Sequence, residues 1–382
     1  MEPKDLFTSW VETDLNVIEN NIRLIMHITQ SDVMAVVKAN GYGHGAIPVA
    51  ESALRGGATW CAVSQVEEAI ILRQSGLNCP LLVLGFTPSN RLSEAIKQDI
   101  SLTFWSKKQI QEIMKSAQAM GQKAKVHLRV DTGMGLLGAQ AEAVEDIVRL
   151  AYGLDGVQIT GMFTNFARAD EPGIDTTIAQ LNTFLNILSR LESAGLRPPI
   201  VHAANSAATL VNPETHLDLV RIGSAMYGFH SSPECLLPEG FFPALTWKTQ
   251  LSQIKTLPPG RGLSYGHVYI TQRNEHIGTL PVGYADGLRS FDGNKVLIRG
   301  REVPVVGRVC MDQSLVQLDN VPDAEVGDEV VLIGRQGEMQ ISAEQVAKRW
   351  GVINYEVTCG ISARVPRLYG EGQSPSLRTN CS

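Results

Sequence analysis

Apolar and polar positions alternate in blocks along the first two-thirds of this chain. Eight short runs rich in β-branched and aliphatic residues recur: VMAVV (33–37), TWCAVS (59–64), PLLVLG (80–85), SLTF (101–104), KVHLRV (125–130), VQITGMF (157–163), PIVHA (199–203) and DLVRI (218–222). Each is too short for a helix and nearly continuously apolar, the mark of a strand covered on both faces. Most gaps hold helical patterns, such as AIPVAESALRGG, KQIQEIMKSAQAMG and TIAQLNTFLNILSRLESAG. The last repeats apolar residues at i, i+3, i+4 and i+7, the stripe of an amphipathic helix laid on a sheet. Eight such alternations predict a (β/α)8 TIM-type barrel, with a doubly wound open sheet as the alternative.

The texture changes near residue 236. Prolines and glycines cluster in LLPEGFFPAL and TLPPGRG, and short strand-like pieces follow: HIGTLPVGYADG, KVLIRGREVPVVGRV, QSLVQLD and DEVVLIG, with one helix at SAEQVAKRWG. The fold class is therefore α/β, an N-terminal (β/α)8 barrel with a C-terminal mostly β domain. The expected boundaries are an N-terminal strand over 1–10 that packs with the C-terminal domain, the barrel over 11–235, the β domain over 236–370 and a flexible tail over 371–382.

Composition narrows the class. With 382 residues, 44% hydrophobic and 19% charged, the chain suits a soluble protein with one large and one smaller domain. A net charge of −6 argues against nucleic acid or an anionic membrane as partner. No apolar run reaches the length of a membrane span, and MEPKDLFTSW lacks the features of a signal peptide, so a cytoplasmic location is expected. The six cysteines are scattered with no CxxC, which suits reduced thiols and no metal cluster.

The chemistry starts at VVKANGYGHGA, residues 36–46, where an apolar strand finishes on Lys38 and relaxes into glycines. On a barrel, catalytic groups sit at the C-terminal strand ends. Lys38 ends the first strand, Arg129 and Asp131 the fifth, Asn165 the sixth, His202 the seventh and Arg221 the eighth. HAANSAATL, with Ser206, and RIGSAMYG, with Gly223 and Ser224, follow strands seven and eight, where barrels bind phosphate. A lysine opposite a phosphate site points to pyridoxal 5′-phosphate, which forms an imine with such a lysine. Arg221 would face the pyridine nitrogen and keep it unprotonated, with His202 orienting Arg221. The glycines behind Lys38 would leave space for the ring. GMGLLG (133–138) matches a dinucleotide fingerprint, but it lies on the fifth of eight alternations with no second nucleotide-binding half. GRGLSYG (260–266) has no helix after it and reads as a loop presenting Tyr265.

VVKANGYGHGA, together with VDTGMG, HAANSAA, RIGSAMYG, LSYG, VGYADG, GRVCMD and INYEVTCGISARVPR, resembles the alanine racemase family over roughly residues 5 to 370. The resemblance implies a homodimer whose two sites lie between subunits and a small amino acid as substrate. It implies that Lys38 holds the cofactor and is one catalytic base, and that Tyr265, from the other subunit, is the second. Lysine would take the proton of the D enantiomer and tyrosine that of the L. Tyr42, Ser206, Gly223 and Tyr355 match the phosphate ligands, Arg221 the pyridine contact, the Met311 N–H a substrate-carboxylate contact and Tyr284 the substrate entryway.

Three positions depart from the family pattern. Arg129 stands where a carbamylated lysine is usual, Leu136 where an arginine is usual, and Asn165 where a histidine beside the tyrosine is usual. Either Arg129 takes over the missing arginine's carboxylate contact, or it is solvated or paired with an acid such as Asp131. Tyr355 keeps the bulk that favours a small side chain, so alanine is expected, with D-alanine supplied to peptidoglycan. Serine or a broader amino-acid range is the alternative, and a decarboxylase or a non-catalytic pyridoxal-binding protein the more distant one.

Overall fold

A computed structural model describes residues 2–173, 175–370 and 375–376. The tail expected over 371–382 thus lies outside the described residues except for 375–376. Contacts divide the chain into two compact units, one of Val17–Gly41 and Ala46–Phe242, the other of the residues to Asn16, Tyr42–Gly45 and the chain from Pro243.

The first unit is the barrel. After β1 (Ser9–Asp14), which belongs to the other unit, come β2 (Asp32–Val36), β3 (Trp60–Val63), β4 (Leu81–Val83), β5 (Ser101–Phe104), β6 (Ala124–Arg129), β7 (Val157–Phe163), β8 (Ile200–His202) and β9 (Leu219–Ile222). They pair in parallel in the order β8-β7-β6-β5-β4-β3-β2-β9. Across the seam between β8 and β9 the Asp218 N–H donates to Val201 O at 3.1 Å and the Arg221 N–H to Ala204 O at 3.0 Å. The ring is therefore nearly closed, which rules out the doubly wound sheet. The eight apolar runs all became strands, most of them buried on both sides, as in β4 and β5, where every residue is buried.

The helices follow their stripes. Asp175–Ser193 buries Thr177, Gln180, Leu181, Phe184, Ile187, Leu188 and Leu191, one face at helical spacing. Burying a side chain such as Phe184 contributes about 2–3 kcal/mol. Lys107–Ala119 starts at Ser106, whose Oγ accepts the Gln109 N–H at 3.3 Å.

The second unit is built on a long sheet. Its strands are β10 (Leu245–Gln250), β11 (Gln253–Leu257), β12 (Gly262–Leu263), β13 (Tyr269–Ile270), β14 (Glu275–Leu280), β15 (Lys295–Ile298), β16 (Arg301–Val306), β17 (Ser314–Gln317), β18 (Glu329–Gln336), β19 (Met339–Ile341) and β20 (Arg367–Gly370). The order runs β11-β14-β17-β16-β15-β18-β10-β1-β20, with β19 on β18 and β12 paired to β13 apart. β1 is thus an inner strand, antiparallel to β10 and parallel to β20. The β15–β16 hairpin turns through Arg299 and Gly300, both at positive φ (48° and 72°), the conformation a two-residue hairpin needs. The helix expected at SAEQVAKRWG spans Ala343–Trp350, capped by Ser342 and ended by Gly351 at φ 68°. A second helix, Asn354–Cys359, was not expected from the pattern. No helix among the described residues is long and apolar enough to cross a membrane.

Candidate active site

Beyond β2 the backbone turns left-handed. Ala39, Asn40, Gly41 and Tyr42 have φ of 53°, 52°, 61° and 52°, directly after Lys38. A non-glycine residue in this region is strained by about 1 kcal/mol or more, so neighbours must hold it. They do: the Gly41 N–H donates to Val37 O at 2.8 Å, the Ala46 N–H to Asn40 Oδ1 at 2.9 Å and the Ala39 N–H to Glu68 Oε1 at 2.5 Å. Glu68 Oε2 also accepts from Ser64 and Gln65 at the start of its own helix, at 2.9 and 3.0 Å. The acid in SQVEE was the available signal for this support. Lys38 is thereby fixed, half-buried, on the rim at the end of β2.

Arg221 on β9 is 5% exposed, and both terminal nitrogens of its guanidinium are hydrogen-bonded. Nη2 donates to Thr164 O at 2.9 Å, Asn165 Oδ1 at 3.0 Å and Ala203 O at 3.0 Å, and Nη1 to His202 Nδ1 at 3.2 Å. Arginine only donates, so His202 Nδ1 carries a lone pair and Nε2 the proton. That Nε2–H meets His127 Nδ1 at 3.0 Å, which leaves the single His127 proton on Nε2, buried and without a partner among the described residues. Burial pushes His127 down to about 3. Burial, then the Arg221 charge, then His127 hold His202 well below the ordinary histidine value, so both rings are neutral. Burial and then the Arg129 charge lower Arg221 to about 9, which leaves it a cation at neutral pH.

Phe163, which the sequence pattern gave no reason to single out, organises this cluster. Its ring stacks on His202 at 4.9 Å and lies 5.4 Å from the Arg221 guanidinium and 5.7 Å from that of Arg129. Arg129 ends β6 and makes one long hydrogen bond, Nη1 to Leu84 O at 3.4 Å. It has no carboxylate partner among the described residues. Asp131 Oδ1 accepts instead from the Gly133, Met134 and Gly135 N–H groups at 3.0, 3.0 and 3.1 Å, which corrects the idea of an Arg129–Asp131 pair. The same bonds occupy the amides of GMGLLG and remove it as a nucleotide cradle. Burial lowers Arg129 as well, with Asp131 opposing. Leu136 is 69% exposed.

At the ends of β8 and β9, Ser206 Oγ accepts the Gly223 N–H at 3.0 Å and the Ala225 N–H at 3.4 Å. Asn205 Oδ1 accepts the Ala208 N–H at 3.0 Å, so a short helix starts there among buried small residues.

The β unit carries the other candidates. Tyr42 packs edge-on against Tyr355, ring centres 5.9 Å apart, and burial raises its phenol, with Tyr355 and Cys359 adding to the rise. The glycines after Tyr42 serve packing here. A Cβ on Gly43 would lie 2.1 Å from Thr358 O, and one on Gly45 would lie 2.0 Å from the Tyr369 hydroxyl. Arg367 Nε also donates to Gly43 O at 3.0 Å. Tyr265, Tyr284 and Met311 are exposed and their loops are tied together. The Tyr284 N–H donates to Cys310 O and the Ala285 N–H to Met311 O, both at 3.0 Å, and Ser264 Oγ donates to Arg308 O at 2.6 Å. Tyr265 is 72% exposed, and among the described residues neither its hydroxyl nor the Met311 N–H has a hydrogen-bond partner.

Comparison with known proteins agrees with this geometry. Residues 13–231 match the family model "Alanine racemase, N-terminal domain" and residues 244–369 the model "Alanine racemase, C-terminal domain". An alanine racemase from Symbiobacterium thermophilum is 46% identical over 365 residues, 95% of this chain and 97% of that protein. The crystal structure of alanine racemase from Bacillus anthracis with bound L-Ala-P superposes with a TM-score of 0.92 at 40% identity, covering 96% of each chain. A histidine racemase from Leuconostoc mesenteroides superposes with a TM-score of 0.89 at 28% identity, covering 97% of this chain and 99% of that one. With both halves matched and the rim residues in place on a nearly closed barrel, the chain belongs to the alanine racemase family.

Proposed function

We propose that the protein interconverts L- and D-alanine with pyridoxal 5′-phosphate as cofactor, as a homodimer, and supplies D-alanine for peptidoglycan. The observation that carries this reading is the Arg221 clamp: a buried guanidinium locked as a cation on the same rim as Lys38. The residues present fit the cofactor. Two backbone N–H groups converge on the Ser206 hydroxyl among buried small residues, where phosphate oxygens would accept the same bonds with a full charge.

Lys38, Ser206, Gly223 and Arg221 would hold the group, with Tyr42 and Tyr355 as further phosphate ligands and His202 positioning Arg221. When bound, the cofactor withdraws electrons from the amino acid's Cα and so acidifies its proton. The chain's own part is proton exchange on two faces of that carbon, which requires two bases. Lys38 Nζ serves one face and the hydroxyl of Tyr265 of the partner subunit the other. Its exposure on an edge shared with exposed Val268, Ile270, Tyr284 and Met311 suits a residue completed by a second copy. Arg221, which stays a cation, would hold the cofactor's ring nitrogen without protonating it and so would restrain side reactions. Arg129, with unused N–H donors, would take the substrate carboxylate together with the Met311 N–H, and Tyr284 would line the approach.

The test is purified protein with L-alanine in deuterated water, followed by polarimetry and proton NMR. Parallel loss of optical rotation and of the α-proton supports the reading, and carbon dioxide release or no exchange rejects it. The Arg129 and Leu136 departures favour one alternative, a racemase of serine or of broader range. Relative kcat/KM for L-alanine, L-serine and L-histidine separates the two.

A further inference from the structure

We propose that Cys61 and Cys79 form a reversible disulfide, a peroxide-responsive modification site at the end of the barrel opposite the Lys38 rim. Trp60 opens β3 with its ring 5.4 Å from that of His127, which also contacts His202. Alternation along the strand therefore turns Cys61 outward, into the layer between sheet and helices. Cys61 stands level with Leu81 in the neighbouring parallel strand, and its N–H donates to Pro80 O at 2.9 Å. Cys79, one residue before Pro80, is thereby brought beside Cys61, and the two thiols interact through their side chains.

The loop that carries Cys79 is pinned. Arg73 donates to Leu77 O at 2.6 Å, Cys79 O at 2.8 Å, Gln98 O at 3.0 Å and Asp99 O at 3.1 Å. Its hydrogen-bond partners are all neutral carbonyls, so its charge remains available to a nearby anion. The neighbouring Cys61 side chain and the Arg73 charge hold the Cys79 thiol below the ordinary cysteine value against the opposing effect of burial. The adjoining Cys79 side chain, and then burial, push Cys61 well up. One thiol is thus set to ionise and its neighbour to stay protonated, the arrangement of an attacking and a resolving cysteine. Cys79 is also the more accessible of the two, half-buried where Cys61 is fully buried.

Hydrogen peroxide is the oxidant. The Cys79 thiolate attacks one peroxide oxygen, the O–O bond breaks, and hydroxide leaves and is protonated to water, giving a sulfenic acid. The Cys61 sulfur then attacks the Cys79 sulfur, the S–O bond breaks, and the departing hydroxide takes the Cys61 proton as a second water. Two thiols lose two electrons in all and one peroxide gains them. The product closes a ring from residue 61 to 79 that ties β3 to the loop entering β4.

The experiment exposes the purified full chain to a few equivalents of hydrogen peroxide, followed by non-reducing digestion and mass spectrometry. The expected product is a linked Cys61–Cys79 peptide pair about 2 Da lighter than its parts, reversed by dithiothreitol. Oxidation should raise Tm by about 5 °C and leave racemase activity within about twofold. Cys61→Ser should accumulate a Cys79 sulfenic acid trapped by dimedone. Should that buried change impair folding, Cys79→Ser, in a loop held by its backbone, should abolish the peroxide-dependent Tm shift. A Cys79 that still alkylates fully while exposed Cys359 is oxidised overturns the proposal, as does Cys79 passing to sulfinic acid without a link.

Discussion

A half-buried guanidinium with a single long hydrogen bond, such as that of Arg129, is stabilised by any anion that reaches it. Under the proposed function that anion is the substrate carboxylate. Arg129→Ala should therefore lower kcat/KM about 10- to 100-fold, the worth of one charge-assisted hydrogen bond, with KM raised. Leu136→Ala, at a position 69% exposed, should stay within about twofold. Equal small effects in steady-state kinetics would assign the carboxylate to another group. The two histidines set a pH dependence of stability. Folded His127 titrates at about 3 against about 6.5 in an unfolded chain, and His202 is shifted the same way. As pH falls, the unfolded state takes up these protons first. Stability is complete above pH ~6.5 and declines as pH falls, for His127 down to about 3 by about 1.4 kcal/mol per pH unit, with His202 adding in the same direction. Urea midpoints should drop steadily from pH 6.5 to 5, and a flat profile there would mean that at least one ring is charged in the fold.

At the scale of elements, GYGHG has a packing explanation that can be measured. Gly43→Ala places a methyl 2.1 Å from a backbone carbonyl at φ 84°, whereas Gly121→Ala, at φ 63°, meets nothing within 4 Å. The first should cost about 3 kcal/mol or more in chemical denaturation and the second about 1 kcal/mol. Similar losses would show that the close approach relaxes freely. The same stretch marks where sequence reading ran out. Barrel strands were legible because most are short, largely apolar runs, and Lys38, His202 and Arg221 stood out as polar groups closing such runs. What glycine neighbours lie 300 residues away in the chain, as Thr358 does for Gly43, no local pattern records. Phe163 was equally silent, since an aromatic in an apolar strand looks like core until its ring is found beside two arginines. His127 was legible, a histidine inside KVHLRV, and its meaning needed the β8 partner. Helix Asn354–Cys359 escaped because six residues make too short a stripe to show a period.

For the whole molecule, the proposed sharing of Tyr265 between subunits can be tested by mixing. Protomers carrying Lys38→Ala and others carrying Tyr265→Phe should each be nearly inactive alone. After dissociation and reassociation in equal amounts, half the dimers pair one of each and hold one intact site, restoring about a quarter of wild-type activity. No recovery, with exchange verified by mass, would place both bases in one chain.

The inner position of β1 carries a further consequence for how this protein can be made. Its two neighbours, β10 and β20, come from chain after residue 243, more than two hundred positions downstream. A ribosome therefore releases β1 long before either flank exists, and a fragment ending at Phe242 would display both bare edges of a strand that holds Trp10 and Val11. Expression of the leading two-thirds alone should deposit in inclusion bodies, and supplying the remainder in trans should return it to the supernatant.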